Sequence, residues 1–188
     1  MRKLIMWNLV TLEGFFEGAK PWDLDFHNLV WGEDMNQFSL EQLRNADMLL
    51  FGRRTYVGMA AYWKTVEGED DDVARLMNSL PKAVFSRTLQ TADWNNTRLV
   101  SGDAEKAVRE LKDQPGKDLF VMGSADFSAF LMKAGLFDEY RLGVVPVVLG
   151  KGNPLFKAEA GGLKMRLMEA RPMKSGALIV SYAPVQGE

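Results

Sequence analysis

Short, unbroken apolar runs bounded by breakers constrain this chain more than any other feature. They are Leu4 to Val10, Met48 to Phe51, Ala83 to Phe85, Arg98 to Val100, Leu119 to Met122, Tyr140 to Val148 and Ala177 to Tyr182. Runs of this length and continuity fit strands covered on both faces, as in a parallel sheet flanked by helices. Helical segments lie between them. Ser39 to Asn45 opens with Ser39 and carries Gln42 three residues later, which predicts a capping box and a helix start. Ala104 to Lys112 repeats Ala107, Val108 and Leu111 at helical spacing behind Asp103, a suitable cap. Ser124 to Ala134 places Phe127, Phe130 and Leu131 on one predicted face, with Gly135 at the position of a C′ glycine. Strand and helix therefore alternate, and the class is α/β with a mostly parallel sheet and helices on both faces. The end differs. Tyr140 to Val148, Leu163 to Ala170 and Ala177 to Tyr182 follow one another with little helix, and Arg171 to Gly176 is a hairpin-sized turn. An antiparallel C-terminal edge is expected.

The 188 residues suit one domain spanning 1–188. Net charge is −2 and the basic residues are scattered, so a nucleic-acid partner is not expected. There is no cysteine, which removes thiolate zinc sites and cysteine nucleophiles. No apolar run approaches the ~20 residues of a membrane span, and the apolar stretch from Leu4 is broken by Asn8. It reads as a buried first strand, and a cytoplasmic protein with no membrane partner is the expectation. The acidic run Glu67 to Asp72 reads as a solvated loop or helix start. Its carboxylates are contiguous and lack the glycine turn and terminal Glu of a calcium loop, so no metal is expected.

Three strand ends carry chemistry. Phe51 is followed by Gly52, Arg53, Arg54 and Thr55 and then by helix-compatible residues. A helix start after a parallel strand presents free N–H groups, a glycine allows close approach, and arginines supply forked donors for phosphate. The alternative is a βα turn whose arginines are merely solvated. Phe85 is followed by Ser86, Arg87 and Thr88, again a phosphate-suited set or a capped turn. Met122 is followed by Gly123, Ser124 and Ala125, a strand–glycine–helix passage without the full GxGxxG pattern. In open α/β sheets ligands gather along this edge.

The order and spacing of these motifs are specific. Thr11-Leu12-Glu13-Gly14-Phe15 comes first, then the three strand ends. Gly135-Leu136-Phe137-Asp138-Glu139-Tyr140 follows and leads into Pro146-Val147-Val148-Leu149-Gly150-Lys151-Gly152 and Leu155-Phe156. From about Lys3 to Tyr182 the chain resembles the C-terminal reductase domain of bacterial riboflavin biosynthesis. It resembles more closely the stand-alone dihydrofolate reductase family proteins of that group. The resemblance implies a dihydrofolate-reductase-like three-layer fold, NADPH as hydride donor and often a homodimer. It implies that Gly52, Arg53, Arg54 and Thr55 hold cofactor phosphate, and that Ser86 and Arg87 meet the adenosine side. It assigns Gly123 and Ser124 to the pyrophosphate or nicotinamide half, and Val10, Thr11 and Glu13 to the nicotinamide and substrate side. Two departures stand out. Gly-Gly is the usual third motif where this chain has Gly123-Ser124; serine fits if that position does not need φ > 0. Asp-Gly is usual where this chain has Glu13-Gly14, one methylene longer. The zinc deaminase activity that some relatives carry fused is not expected without cysteine.

The implied reaction is hydride transfer to a C=N or C=O bond of a pterin-like or ribosylaminopyrimidine molecule. A neighbouring proton donor must lie within hydrogen-bond reach. Glu13 and Asp25 are the catalytic candidates, with Asp23 beside them. Thr11, Trp22 and Lys151 are the substrate-binding candidates: Trp22 as a platform for a flat heterocycle within the aromatic stretch Trp22, Phe26, Trp31 and Phe38, Lys151 as a contact for an anionic group. That stretch equally reads as core, and Lys151 as a solvated loop residue. His27, the only histidine, reads as a hydrogen-bonded structural residue. A dihydrofolate reductase, a non-catalytic ligand-binding protein and a purely structural dimer are the competing readings.

Overall fold

The structure is a computed structural model that describes residues 1–66, 72–158 and 161–185. Its centre is β1 (Leu4–Thr11), whose side chains alternate between two cores. Leu4, Met6 and Val10 enter one apolar cluster, and Ile5 and Leu9 enter clusters on the opposite face. Burial on both faces is why the run reads as continuous rather than alternating. The other strands of the main sheet are β3 (Ala46–Gly52), β4 (Lys82–Phe85), β5 (Thr97–Val100), β6 (Asp118–Met122), β7 (Glu139–Val145), β9 (Met165–Pro172) and β10 (Leu178–Pro184). Their order is β5-β4-β3-β6-β1-β7-β10-β9. Pairing is parallel from β5 through β7, and β10 is antiparallel to both β7 and β9. The expected mixed sheet and antiparallel edge are present. A second pair joins β2 (Phe15–Glu17) to β8 (Asn153–Pro154).

Helices cover both faces of the parallel part. On the Leu4 face lie α4 (Ala104–Asp113), through Val108 and Leu111, and α5 (Ala125–Lys133), through Ala125 and Leu131. On the other face lie α1 (Glu33–Arg44), α2 (Arg53–Trp63) and α3 (Asp72–Ser79), through Leu40, Tyr56 and Val73. Asp103 caps α4 as expected, accepting a hydrogen bond from Lys106 N at 3.1 Å. Gly135 takes the left-handed φ of +62° that ends α5.

Several expectations need correction. α1 starts six residues before Ser39. Its N-cap is Gly32, and Ser39 and Gln42 are buried inside the helix. Glu33 and Asp34 in the first turn favour the positive end of the dipole and replace the capping box. Phe130 is 45% exposed, so the buried face of α5 runs through Ser128, Ala129, Leu131 and Met132 instead. β7 stops at Val145, and residues 146–152 leave the sheet as a loop. Most of the acidic run Glu67 to Asp72 lies outside the described residues; Asp72 pairs with Arg44 and Arg75. Of the aromatic stretch, Phe26 and Phe38 are core, whereas Trp22 and Trp31 are exposed.

The amino-terminal edge of the sheet holds buried cations. Lys82 is 1% exposed; its Nζ donates to the carbonyls of Asn78, Leu80 and Asn95 at 3.1, 2.7 and 3.0 Å and lies 4.5 Å from the Trp94 ring centroid. Burial pushes this ammonium down to about 8, against which the three carbonyls and the indole face hold the charged form. Lys112 Nζ reaches Asp138 and the Leu136 carbonyl, each at 2.7 Å. A concavity of about 410 Å³ opens beside Lys82 and Trp94, away from the strand carboxyl ends. Among the described residues no helix is long and apolar enough to cross a membrane, and no group of metal-ligating side chains occurs.

Candidate functional site

The sheet order sets the site. Reading across β4, β3, β6, β1 and β7, the carboxyl ends are Phe85, Gly52, Met122, Thr11 and Val145. Each of the three motifs read from sequence therefore falls on a neighbouring strand end. Five strands at ~4.8 Å spacing make a row of about 19 Å. α2 and α5 begin on adjacent strands, so their free first-turn N–H groups open on the same edge.

Gly52 and Ser124 join the two helix starts. Neither helix has a side-chain cap; instead Gly52 N donates to Ser124 Oγ at 2.9 Å. Gly123 and Ser124 are both left-handed, at φ +67° and +64°. The position does require φ > 0, and the buried serine adopts it, with its hydroxyl committed to the neighbouring strand end. A Cβ on Gly123 would lie 2.8 Å from Thr55 Cγ2, so glycine is needed there for contact between β6 and buried Thr55. Phe127 of α5 stacks on Phe85 with centroids 4.8 Å apart, which ties the third strand end to the same cluster.

The charged groups of this edge are solvent-facing. Arg53 and Arg87 are exposed and engage no acceptor among the described residues. Arg54 stands 3.8 Å from Asp126, with both side chains largely in water, an ion pair worth little. Ser86 Oγ accepts from Thr88 N and Leu89 N at 3.2 and 3.0 Å, so it shapes the turn that presents Arg87. Three guanidinium groups and two helix N-termini on one edge form a donor set suited to a phosphorylated ligand.

Around β1, Val10 and Thr11 are buried, and Thr11 Oγ1 accepts from Phe15 N at 3.2 Å. Glu13 is not free: its carboxylate accepts from Leu149 N at 2.6 Å and Gly150 N at 3.0 Å. It clamps the loop that carries exposed Lys151. Asp25 is exposed at the start of a single 3-10 turn, Asp25–Leu29. Trp22 is 44% exposed and left-handed at φ +64°, and its indole lies on Gly58 of α2 with no room for a Cβ between them. His27 lies beside Phe26, with Nε2 buried and unpartnered. Burial pushes it down to about 4, so it is neutral near pH 7. The expected hydrogen bond of its ring is not made at Nε2.

Two residues escaped the sequence. Glu17 accepts from Asn153 Nδ2 at 2.7 Å with one oxygen and from Trp22 N at 3.0 Å with the other. Lys157 contacts Asn153 Oδ1 and stands 3.8 Å from Asp126. Neither belongs to a motif, because each also takes a partner from a remote segment, Asn153 for Glu17 and Asp126 of α5 for Lys157.

This topology and strand-end arrangement define an α/β protein of the dihydrofolate-reductase-like class. Comparison with known proteins narrows that class. The RibD C-terminal domain model matches residues 2–179, and the chain belongs to that family. It is 32% identical over 183 residues to the uncharacterized protein YyaP of Bacillus subtilis (strain 168), covering 96% of this chain and 94% of YyaP. Among solved structures it is similar to a putative riboflavin biosynthesis protein from Shewanella sp. PV-4, at TM-score 0.78 and 19% identity over 98% of this chain and 99% of that one. It is also similar to the Thermotoga maritima diaminohydroxyphosphoribosylaminopyrimidine deaminase/5-amino-6-(5-phosphoribosylamino)uracil reductase, at TM-score 0.66 and 13% identity over 98% of this chain and 57% of that one. Enterococcus faecalis dihydrofolate reductase aligns at TM-score 0.60 and 10% identity over 98% of this chain and 97% of that one. At these identities the structural likenesses establish the fold.

Proposed function

We propose that this protein is an NADPH-dependent reductase of a pterin-like or ribosylaminopyrimidine molecule. The observation that carries the reading is the row of strand ends that brings exposed Arg53, Arg54 and Arg87 together with the starts of α2 and α5. The donor set matches a phosphorylated dinucleotide in charge and in extent. Arg53, Arg54 and the first-turn amides of α2 hold phosphate; Arg87, presented by the Ser86 turn, selects a 2′-phosphate. Gly123 and Ser124 bring the backbone of β6 close to the ligand. NADPH, when bound, supplies the hydride. Val10 and Thr11 wall the reacting end, and Trp22 excludes water from it. Glu13, held by two backbone amides, positions the Lys151 loop, and Asp25 is the carboxylate left to hold a proton. Membership of the RibD C-terminal domain family supports the substrate class.

The test is titration of purified protein with NADPH and NADH, followed by quenching of its five tryptophans. Tight NADPH binding and weak NADH binding are expected. Equal or absent binding of the two overturns the reading.

We also propose that the chain pairs with a second copy across its C-terminal hairpin. By register, Leu167, Ala170 and Leu178 share the Leu4 face of β9 and β10, and all three are exposed. Arg171 and Glu169 project from the other face, where Arg171 lies over Phe38. A charge-free sheet face suits an isologous contact. Light scattering should give twice the 21.1 kDa chain mass, and Leu167→Lys should return it to one.

A further inference from the structure

Glu17 occupies an unusual position among the carboxylates of this edge. Both groups that face it are donors, the backbone N–H of Trp22 and the amide of Asn153, and each oxygen serves one of them. The orientation of the Asn153 amide is fixed from its far side, because its Oδ1 faces the Lys157 ammonium. Lys157 in turn faces Asp126, and Asp126 faces Arg54 at the start of α2. A polar chain thus runs from the candidate phosphate site to Trp22. Trp22 is reached from β2, yet its indole rests on Gly58 of α2, the helix that follows β3. Since β6 lies between β3 and β1 in the sheet, the tryptophan joins the segment after β1 and β2 to a helix that starts two strands away. Around it, Gly18 N donates to Asp23 O at 2.8 Å, closing residues 18–23 into a small loop, while Leu155 N donates to Gly14 O at 3.0 Å and seats the 149–157 segment on β2.

We propose that Glu17 is a positioning residue that ties Trp22, a lid across the gap between β1 and α2, to the 149–157 segment. The lid function rests on the cofactor-site reading above; the tie between the two loops does not. A carboxylate is required, because it alone offers an acceptor to each donor. Glutamine must turn its own NH2 toward one of them and leave that donor unpaired. Losing either bond breaks the tie between the two loops, and the bond that remains is no longer charge-assisted, so both loops loosen together.

Amide hydrogen exchange on the full chain, read peptide by peptide, tests the tie. Glu17→Gln should raise exchange about tenfold in residues 18–24 and in 149–155 and leave β3 and β6 unchanged. Gly58→Ala, which unseats the indole without touching Glu17, should raise exchange in 18–24 alone. A Glu17→Gln effect confined to one loop, or spread evenly over the sheet, overturns the proposal. Stopped-flow binding of NADPH then tests the lid. Dissociation from Glu17→Gln should be about tenfold faster with association changed less than about twofold, and Asn153→Ala should add nothing in the double variant. Equal dissociation rates from wild type and Glu17→Gln overturn the lid. If the wild type binds no NADPH while both loops loosen as stated, the cofactor-site reading and the lid fail and the tie stands.

Discussion

The two edges of the sheet carry the same kind of residue and treat it in opposite ways. At the amino-terminal edge Lys82 and Lys112 are buried and partnered, the first by three carbonyls and the second by a carboxylate and a carbonyl. At the carboxyl edge Arg53, Arg54 and Arg87 stand in water, two of them without an acceptor among the described residues and one in a long, exposed pair. A buried cation that has found all its acceptors can only be structural, since a ligand would have to displace bonds already made. An exposed one beside open helix starts costs the fold little and is available to an anion. Parallel strands make the asymmetry systematic: every helix N-terminus after a strand falls on the carboxyl edge.

The comparison breaks if the buried cations prove dispensable. Lys82→Met strips a donor from three carbonyls and should cost about 3–5 kcal/mol in urea denaturation, with NADPH affinity unchanged. A loss below about 1 kcal/mol would place Lys82 with the surface lysines.

His27 sharpens it from another side, as a buried titratable group whose Nε2 has no partner among the described residues. Its folded-state value of about 4 lies below the unfolded value of 6.5, so the unfolded chain takes up the proton first. Stability should therefore fall as pH drops from about 6.5 to 4, by about 3 kcal/mol in all. In His27→Leu the fall over that window should be smaller, as read from thermal midpoints at each pH.

At the carboxyl edge the signs reverse. Arg53→Ala and Arg87→Ala should each change stability by less than about 0.5 kcal/mol yet weaken NADPH binding by about 1.5–3 kcal/mol, from roughly tenfold upward. Unchanged affinity in both variants, measured by tryptophan quenching, would remove the phosphate assignment. The smallest effect belongs to the link between the helix starts. Ser124→Ala should cost about 1 kcal/mol, because Gly52 N loses its acceptor. Ser124→Gly should cost less than Ser124→Ala, because glycine relieves the left-handed φ.

The central strands were legible because they are apolar on both faces, and the strand ends because glycine or arginine follows each of them. Where the signal failed, the cause was local chemistry borrowed from elsewhere. α1 begins at Glu33, where Asp34 accepts from Met35 N and from Lys174 N, the latter in the distant hairpin; Ser39 offered a better local cap and proved to be core. β2 and β8 span three and two residues, too short for any period to register. Lys82 was left outside a strand read from Ala83, because an apolar pattern cannot anticipate a lysine whose acceptors are carbonyls. The three strand-end motifs were read correctly in place, but the commitment of Glu13 to Leu149 N and Gly150 N depends on a contact across 136 residues or more. Serine at position 124 was read as fitting if φ > 0 was not needed; φ > 0 is needed there, and Ser124 adopts it with its hydroxyl held by Gly52 N.

The central place of β6 also sets an order in time. β3, β4 and β5 can assemble as one leaf as soon as they are made, but in the finished sheet that leaf touches β1 only through residues 118–122. On a ribosome the first hundred residues therefore wait as two unjoined pieces, each with an open strand flank, until β6 emerges and slots between them. Long-range parallel insertion of this kind is slow, and the waiting flanks are adhesive. The same strand that seats the glycine–serine turn is thus the keystone of folding, and the interval before its arrival is when this chain is most exposed to aggregation.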